Sequence, residues 1–351
     1  MVHSRMTSQE RMLAAINHVQ PDRVPVSPWG LGRISMHSSL GKEIIARTDP
    51  WIETDLGRHP VSGVRLPPEI ERRGNIERRI LHAPGRELVS IRTTTSETTA
   101  CTKYFCETRE DIDALRAIPY IPPRPDVGTY KELCKEIGQD GLVVMGVPNA
   151  LCYPNDMLGT EYCSYLWAAD PDITRELVAT AAERIHRVVE EACEVGVDCF
   201  RIVGGEYATQ LMGPRAWKEL IVPYDKPLVE IIQSHGAIAH YHNHGNMQAF
   251  LESIAELGVD SLDPIEQPPY GDIEMDEAMR RIGDRVCLVG GLDDMEVLET
   301  RPSKEVRAMA TDLIERVGTV GYMLGGTSSG IYGEQAAHNF MMLVEVAEAY
   351  A

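Results

Sequence analysis

Asp198-Cys-Phe-Arg-Ile-Val-Gly-Gly-Glu206-Tyr207, a helical pattern over Pro214–Ser234, and Ala237-Ile-Ala-His240-Tyr-His242-Asn-His244-Gly-Asn246 read as strand, helix, strand. A short apolar run, a helix of about twenty residues and a second apolar run form one βα unit with its successor. The rhythm recurs on both sides. Further candidate strands are Leu142–Val147, Ser261–Pro264, Val286–Val289 and Gly321–Leu324; further candidate helices are Asp172–Val195, Met247–Leu257, Asp276–Arg281, Ser303–Val317 and Glu334–Ala349. With Val24–Trp29 and one strand that no apolar run marks, the count reaches the eight of a (β/α)8 TIM barrel, an α/β fold. A doubly wound open sheet is the alternative. No GxGxxG follows the first strand and no GxxxxGK[ST] occurs, which removes its usual nucleotide-binding versions.

The barrel carries additions at its N-terminal end. Thr7 and Glu10 have capping-box spacing ahead of Met12, Leu13 and Ile16, so a helix is expected from residue 8 to about His18, before Pro21. Residues 84–106 alternate β-formers and threonine, which predicts an appended β-hairpin. The proline-rich stretch 117–127 is a stiff connection. All 351 residues are expected to form a single barrel domain.

Composition narrows the classes. The 53 acidic against 34 basic residues give a formal charge of −19, a surface that repels phosphate backbones, so nucleic acid is not an expected partner. No apolar run approaches the roughly 18 residues of a membrane span, and the start has no apolar signal core. Eight cysteines without a CxxC pair suit a reducing compartment, and a cytoplasmic location is expected.

Chemistry in such a barrel stands at the C-terminal strand ends. His240, His242 and His244 alternate along one strand and point to one face, with His240 deepest and structural. Glu206 follows two glycines at the end of the preceding strand, near His242; two imidazoles and a carboxylate with an open position are a known ligand set for catalytic zinc. The alternative for Glu206 is a loop carboxylate or a helix cap. Asp293, after Gly290-Gly-Leu, is placed to bind substrate or to support the histidines. The loop Met323–Gly330 is either an anion-holding turn or a tight βα connection. Trp29, Tyr153, Trp167 and Tyr207 are candidates to line an aromatic pocket, each alternatively a core residue.

Together Thr7–His18 with Pro21–Val26, Trp217-Lys-Glu-Leu-Ile-Val-Pro-Tyr224, His242-Asn-His-Gly-Asn246 and Gly290-Gly-Leu-Asp293 resemble the uroporphyrinogen decarboxylase superfamily over nearly the whole chain. The resemblance implies a TIM barrel in one of two branches: porphyrinogen decarboxylases, or zinc methyltransferases working with corrinoid proteins. The decarboxylases' Arg-Gln-Ala-Gly-Arg-Tyr motif corresponds to Ser27-Pro-Trp-Gly-Leu-Gly-Arg33, where Arg33 alone remains to hold a substrate carboxylate. The methyltransferases' His-x-Cys-Gly becomes His242-Asn-His244-Gly, and Thr327-Ser-Ser329 contains no cysteine. Loss of thiolates leaves a harder zinc, suited to oxygen.

By resemblance Glu219 is an additional metal ligand, and the expected set is Glu206, Glu219, His242 and His244. The expected activity is O-demethylation: a methyl group leaves a small methoxylated, aromatic substrate for the cob(I)alamin of a separate corrinoid protein, with Glu206, His242 and Asp293 catalytic and Trp29, Arg33 and Tyr207 against the substrate. The alternative is a metal-free decarboxylase. A homodimer is expected from the resemblance.

Overall fold

The strand without an apolar run is Trp51–Asp55, whose Trp-Ile-Glu-Thr-Asp pattern is polar because Glu53 turns inward to meet a buried arginine. In the computed structural model of the chain, which describes residues 5–56, 61, 68–96 and 98–351, it is β2 of twelve strands. The others are β1 (Val26–Ser27), β3 (Glu69–Arg73), β4 (Ile76–Ala83), β5 (Arg86–Thr94), β6 (Thr99–Lys103), β7 (Leu142–Pro148), β8 (Cys199–Val203), β9 (Ile238–His242), β10 (Ser261–Ile265), β11 (Cys287–Gly291) and β12 (Tyr322–Gly325). Eight of them pair in parallel in the order β1-β12-β11-β10-β9-β8-β7-β2. A parallel bridge between Trp29 and Trp51 joins the two ends and closes the barrel.

The (β/α)8 expectation therefore holds, with N-terminal helix and β decoration. Strand alternation sorts two cores. Trp51, Leu142, Val144, Cys199, Cys287, Val289 and Met323 fill the interior, while Val143, Met145, Phe200, Ile202 and Leu288 pack outward on the helices. Met12, Ala15 and Ile16 of the first helix join the interior cluster and plug the barrel's lower end. That helix runs Ser8–Ile16 with the Thr7–Glu10 capping box in place, and it stops short of His18, which takes a positive φ of 54°.

The appended sheet is larger than the hairpin expected at 84–106. β3-β4-β5-β6 form an antiparallel four-stranded meander, of which the expected hairpin is the second half. Leu81 and Leu88 anchor it beside Phe105, Ile112 and Leu115. The charge-rich first strand, Glu-Ile-Glu-Arg-Arg, is wholly exposed and lacks the apolar alternation that marks a half-buried strand.

A second departure concerns the helix expected over Pro214–Ser234. It divides into Gly213–Ala216, a π-helical stretch Trp217–Ile221, and Val222–Ser234. Pro223 and Pro227 each lack the N–H that an unbroken ladder requires, so the wider turn precedes them. Among the described residues no helix is long and apolar enough to cross a membrane, and all eight cysteines are free thiols.

Two buried polar clusters brace the framework. At the lower end, fully buried Asp49 accepts from Arg11 Nη1 (2.6 Å), Arg23 Nη1 (2.6 Å) and the Val26 N–H (2.8 Å), tying the first helix to β1. Behind β9, Asp225 accepts from the Tyr241 hydroxyl (2.8 Å) and Asn149 Nδ2 (3.1 Å), and burial pushes its carboxyl up to about 7. Asp49→Ala takes away the carboxylate that Arg23 bonds and leaves Arg11 to Asp22 alone, and is expected to cost about 3 kcal/mol in urea unfolding.

Asp225 carries the opposite sign. Between pH 4 and 7 the folded state holds a proton that the unfolded chain has released, so this group's contribution to stability falls as pH rises and the penalty is complete above about pH 7. Asp225→Asn keeps an acceptor and removes the ionisation. It should match the wild type near pH 4 and exceed it at pH 8 by up to about 4 kcal/mol in denaturant titrations; a pH-independent difference would contradict the assignment.

Candidate functional site

The upper barrel layer is unusually polar because β2, β8, β9 and β10 each aim an ionisable or imidazole side chain inward. Glu53, Arg201, His240, His242 and Asp263 come from positions that alternate with the outward apolar residues. Asp263 is the hub. Its Oδ1 lies 2.6 Å from His240 Nε2 and 3.0 Å from His242 Nδ1, its Oδ2 accepts from Ser328 Oγ, and Arg201 Nη2 is 3.7 Å away.

Burial opposes its charge, yet the facing His242, His240 and Arg201 hold the Asp263 carboxyl well below the usual carboxylate range. Arg201 is 7% exposed. Nη1 bonds Glu53 Oε2 at 2.9 Å, Nη2 lies 2.7 Å from His242 Nδ1, and the guanidinium carbon sits 3.8 Å from the centroid of Trp29, whose indole N–H donates to Glu53 as well. His240, wholly buried, stacks on Trp29 and also bonds Ser261 Oγ at 2.7 Å, a structural placement.

Nearer the mouth, the His242 and His244 rings meet edge-on with centroids 4.5 Å apart. Burial drives His242 down to about 4, against the pull of Asp263, so its ring is neutral at pH 7. His244 is more open. Burial works against its charge, but Glu266, 3.1 Å from Nδ1, outweighs that and raises it.

Glu206 stands at the start of the π-helical turn Tyr207–Met212 that follows β8. Gly204 adopts a φ of +114°, and a Cβ there would fall 2.3 Å from Cys152 Sγ; one on Gly205 would fall 2.5 Å from Asn243 Oδ1. Gln210 Nε2 donates to the carbonyls of His244 (3.0 Å) and Asn246 (3.1 Å), stapling the Glu206 turn to the histidine loop. Glu206 Oε2 is buried and has no hydrogen-bond partner, and the charge of Glu206 is among those felt at His244.

The structure thus sets Glu206 just after β8 and His242 and His244 at the end of neighbouring β9, with Trp29 over Arg201, and it does not bring the three donors together closely enough to hold a metal ion. It does not bring in Glu219. That carboxylate lies in the Trp217–Ile221 turn, clasped by Arg175 and by Arg215 Nε (2.9 Å), and these arginines hold it below its ordinary value. Trp167 belongs to the same peripheral cluster, with both guanidiniums over its ring.

Asp293 is occupied as a helix cap, its Oδ1 accepting from the N–H groups of Met295 (2.9 Å) and Glu296 (2.6 Å). Its buried neighbour Asp294 instead accepts from Ser329 N–H and Oγ, fixing the loop after β12. Arg33 is exposed, and its backbone N–H donates to Tyr332. Tyr207 is half-buried next to Glu206, and Tyr153 is buried in the outer core.

Sequence reading missed Glu53, Arg201, Asp263, Glu266 and Ser328. Arg201 and Asp263 carried a mark, a charged residue inside an otherwise apolar strand, in Cys-Phe-Arg-Ile-Val and Ser-Leu-Asp-Pro-Ile, whereas Glu53, Glu266 and Ser328 carried none. Against the expected zinc, the donors match in kind: a neutral imidazole, a second imidazole and a buried carboxylate oxygen without a partner. They do not match in placement. Among the described residues no three His, Cys, Asp or Glu side chains converge closely enough to hold a metal ion.

Comparison with known proteins agrees with this architecture. No curated protein matches the chain. A methyltransferase from Methanosarcina mazei superposes with a TM-score of 0.66 at 16% identity, covering 99% of this chain and 100% of that one, a likeness of fold. A B12-independent methionine synthase from Shewanella sp. W3-18-1 superposes with a TM-score of 0.45 at 10% identity, over 79% of this chain and 75% of that one. The model of the uroporphyrinogen decarboxylase (URO-D) family matches residues 90–350, from the meander's third strand to the last helix, and the chain belongs to that family.

Proposed function

We propose that this chain is a methyltransferase of a corrinoid-linked O-demethylating system, taking a methyl group from a small methoxylated, aromatic compound to the cob(I)alamin of a separate protein. The observation that carries the reading is Glu206 Oε2, buried without a hydrogen-bond partner just after β8, while His242 and His244 meet edge-on at the end of neighbouring β9. Burying a carboxylate oxygen unpaired is costly, so its retention there favours a cationic ligand. Glu206, His242 and His244 are the donors we assign to zinc; Glu219 is left out because two arginines hold it.

Zinc held by Glu206, His242 and His244 would require these side chains to close on it, and would then supply the positive charge that makes phenolate an acceptable leaving group. The chain's own residues do the rest. Asp263 and Arg201 orient His242, Tyr207 offers aromatic surface to a methoxyarene, Trp29, its ring covered by Arg201 and His240, supports that layer from below rather than meeting the substrate, and Arg33 stands after β1 to meet a ring carboxylate. Asp293 shapes the turn after β11 as its cap. The corrinoid protein docks over the mouth, and a homodimer pairs through other faces.

The decarboxylase reading loses support from the same geometry. Arg201, the buried cation of the upper layer, is already matched by Glu53 and Asp263 and offers little to a polycarboxylate.

Two measurements test the proposal. Purified protein should carry about one zinc per chain by elemental analysis, and His242→Ala or Glu206→Ala should each lose it on dialysis, by more than the 10- to 100-fold typical of an outer-shell change. Retention of zinc by either variant removes that residue from the set. With a reduced corrinoid protein, methoxyarenes should lose their methyl far faster than methanol, because a phenol has a pKa of about 10 and an alkanol is much more basic. Methylation of a thiol from methylcobalamin, with no methoxyarene consumed, would overturn the reading.

A further inference from the structure

Beside the helix that plugs the lower end of the barrel, a cavity of about 450 Å³ opens between that helix, the end of the helix Ser39–Arg47 and the last helix, Glu334–Glu348. Sites that take small molecules hold roughly 300–1,000 Å³, so the volume is that of a ligand cleft. Two side-chain atoms of its lining residues, Arg23 Nε and Ser8 Oγ, are buried without a hydrogen-bond partner. A buried donor left unmade costs free energy, and two on one cavity are the pattern of a site shaped for an acceptor.

The arginine restricts what that acceptor is. Arg23 is 4% exposed, and its Nη1 donates to Asp49 Oδ2 at 2.6 Å and to the Val24 carbonyl at 3.0 Å. This leaves the Nε–Nη2 edge, two parallel N–H groups whose spacing matches the paired oxygens of a carboxylate or a phosphate. Arg11 has no such edge free, since Asp22, Asp49 and the Met6 carbonyl engage all three of its nitrogens. Arg11 also draws on Asp49, so Arg23 has only a shared carboxylate to balance its charge.

Ser8 is the first residue of the helix Ser8–Ile16, where free N–H groups and the positive end of the helix dipole favour an anion, and Thr7 Oγ1 is committed to the Glu10 N–H. Arg47 brings a second guanidinium to the cavity, with Glu43 3.2 Å from its Nη1. Of the acidic groups there, Glu345 accepts from Arg307 (2.5 Å), Glu348 accepts from Arg5, and Asp140 is exposed, so none sets an unmatched buried charge against an anion. Ile45 and Val344 add an apolar wall.

We propose that the cavity binds a small organic anion, a carboxylic acid or a phosphate ester, through the Nε–Nη2 edge of Arg23 and through Ser8 at the start of the helix, with its carbon body against Ile45 and Val344. The site lies at the opposite end of the barrel from the histidines and does not depend on the chemistry proposed there. A bound anion also raises the stability of the folded chain, because the unfolded chain has no such cavity.

The test is calorimetric titration of the full chain, freed of metal by chelation so that the probes meet no cation at the mouth, at neutral pH and fixed ionic strength. The probes are inorganic phosphate and, separately, butyrate. Saturable binding of one anion per chain is expected with at least one of them, and the tighter of the two says whether the natural ligand carries phosphate or carboxylate. No saturable heat and no rise in Tm with either at millimolar concentration overturns the proposal.

Two variants place the anion. Ser8→Glu sets a carboxylate in the first turn of the helix, where acidic residues are favoured, and so fills the site from within; it should fold and bind the probe at least about tenfold more weakly. Arg23→Lys keeps a cation for Asp49 but removes the paired N–H edge, and a similar loss is expected. Unchanged affinity in either folded variant puts the anion elsewhere and overturns the assignment, and if Arg23→Lys does not fold, Ser8→Glu decides alone.

Discussion

A single buried carboxylate, Asp263, sets the conditions for everything in the upper half of the barrel. A charge with no access to water requires partners on several sides, and these come from different elements: His240 and His242 from β9, Arg201 from β8, Ser328 from the loop after β12. Arg201 in turn requires its own second anion and finds Glu53 on β2, whose other contact is Trp29 after β1. The chain of obligations runs around the ring and meets where Trp29 and Trp51 bridge its ends.

This arrangement explains why the polar layer is rigid and the mouth above it is not saturated. In the lower layers apolar side chains fill the interior and the first helix seals the end. In the upper layer each ionisable group is oriented by another, which is the preorganisation that chemistry at a barrel mouth requires. Glu206 Oε2, like Asp294 Oδ1, is a buried oxygen without a hydrogen-bond partner, and π-helical turns follow both β8 and β11 at this end. Such turns often accompany functional sites because the wider turn displaces a side chain from regular register.

Much of the fold was legible because strand and helix periods are local. The apolar runs of β7 to β12 and the Thr7–Glu10 cap mark their elements in a few residues each, and the alternation His240, His242, His244 shows which face they share. β2 was hidden by its inward Glu53, and β3, the first strand of the meander, by its exposure, since both lack the apolar pattern that periodicity reads. Glu219 looked available in sequence, yet Arg175, some forty positions earlier, claims it with Arg215.

The sequence by itself determined the barrel, its decorated N-terminal side and the placing of Glu206, His242 and His244 after two neighbouring strands, because these follow from short-range patterning and from the rule that strand ends face one way. Only the tertiary structure decided which atoms are engaged. Whether His242 Nδ1 meets Arg201 or Asp263, whether Asp293 caps a turn, and whether Glu219 is drawn away depend on contacts between side chains far apart in the chain. Electrostatic pairing in a low-dielectric interior is set by separations of a few ångströms, and those arise when the strands close on one another.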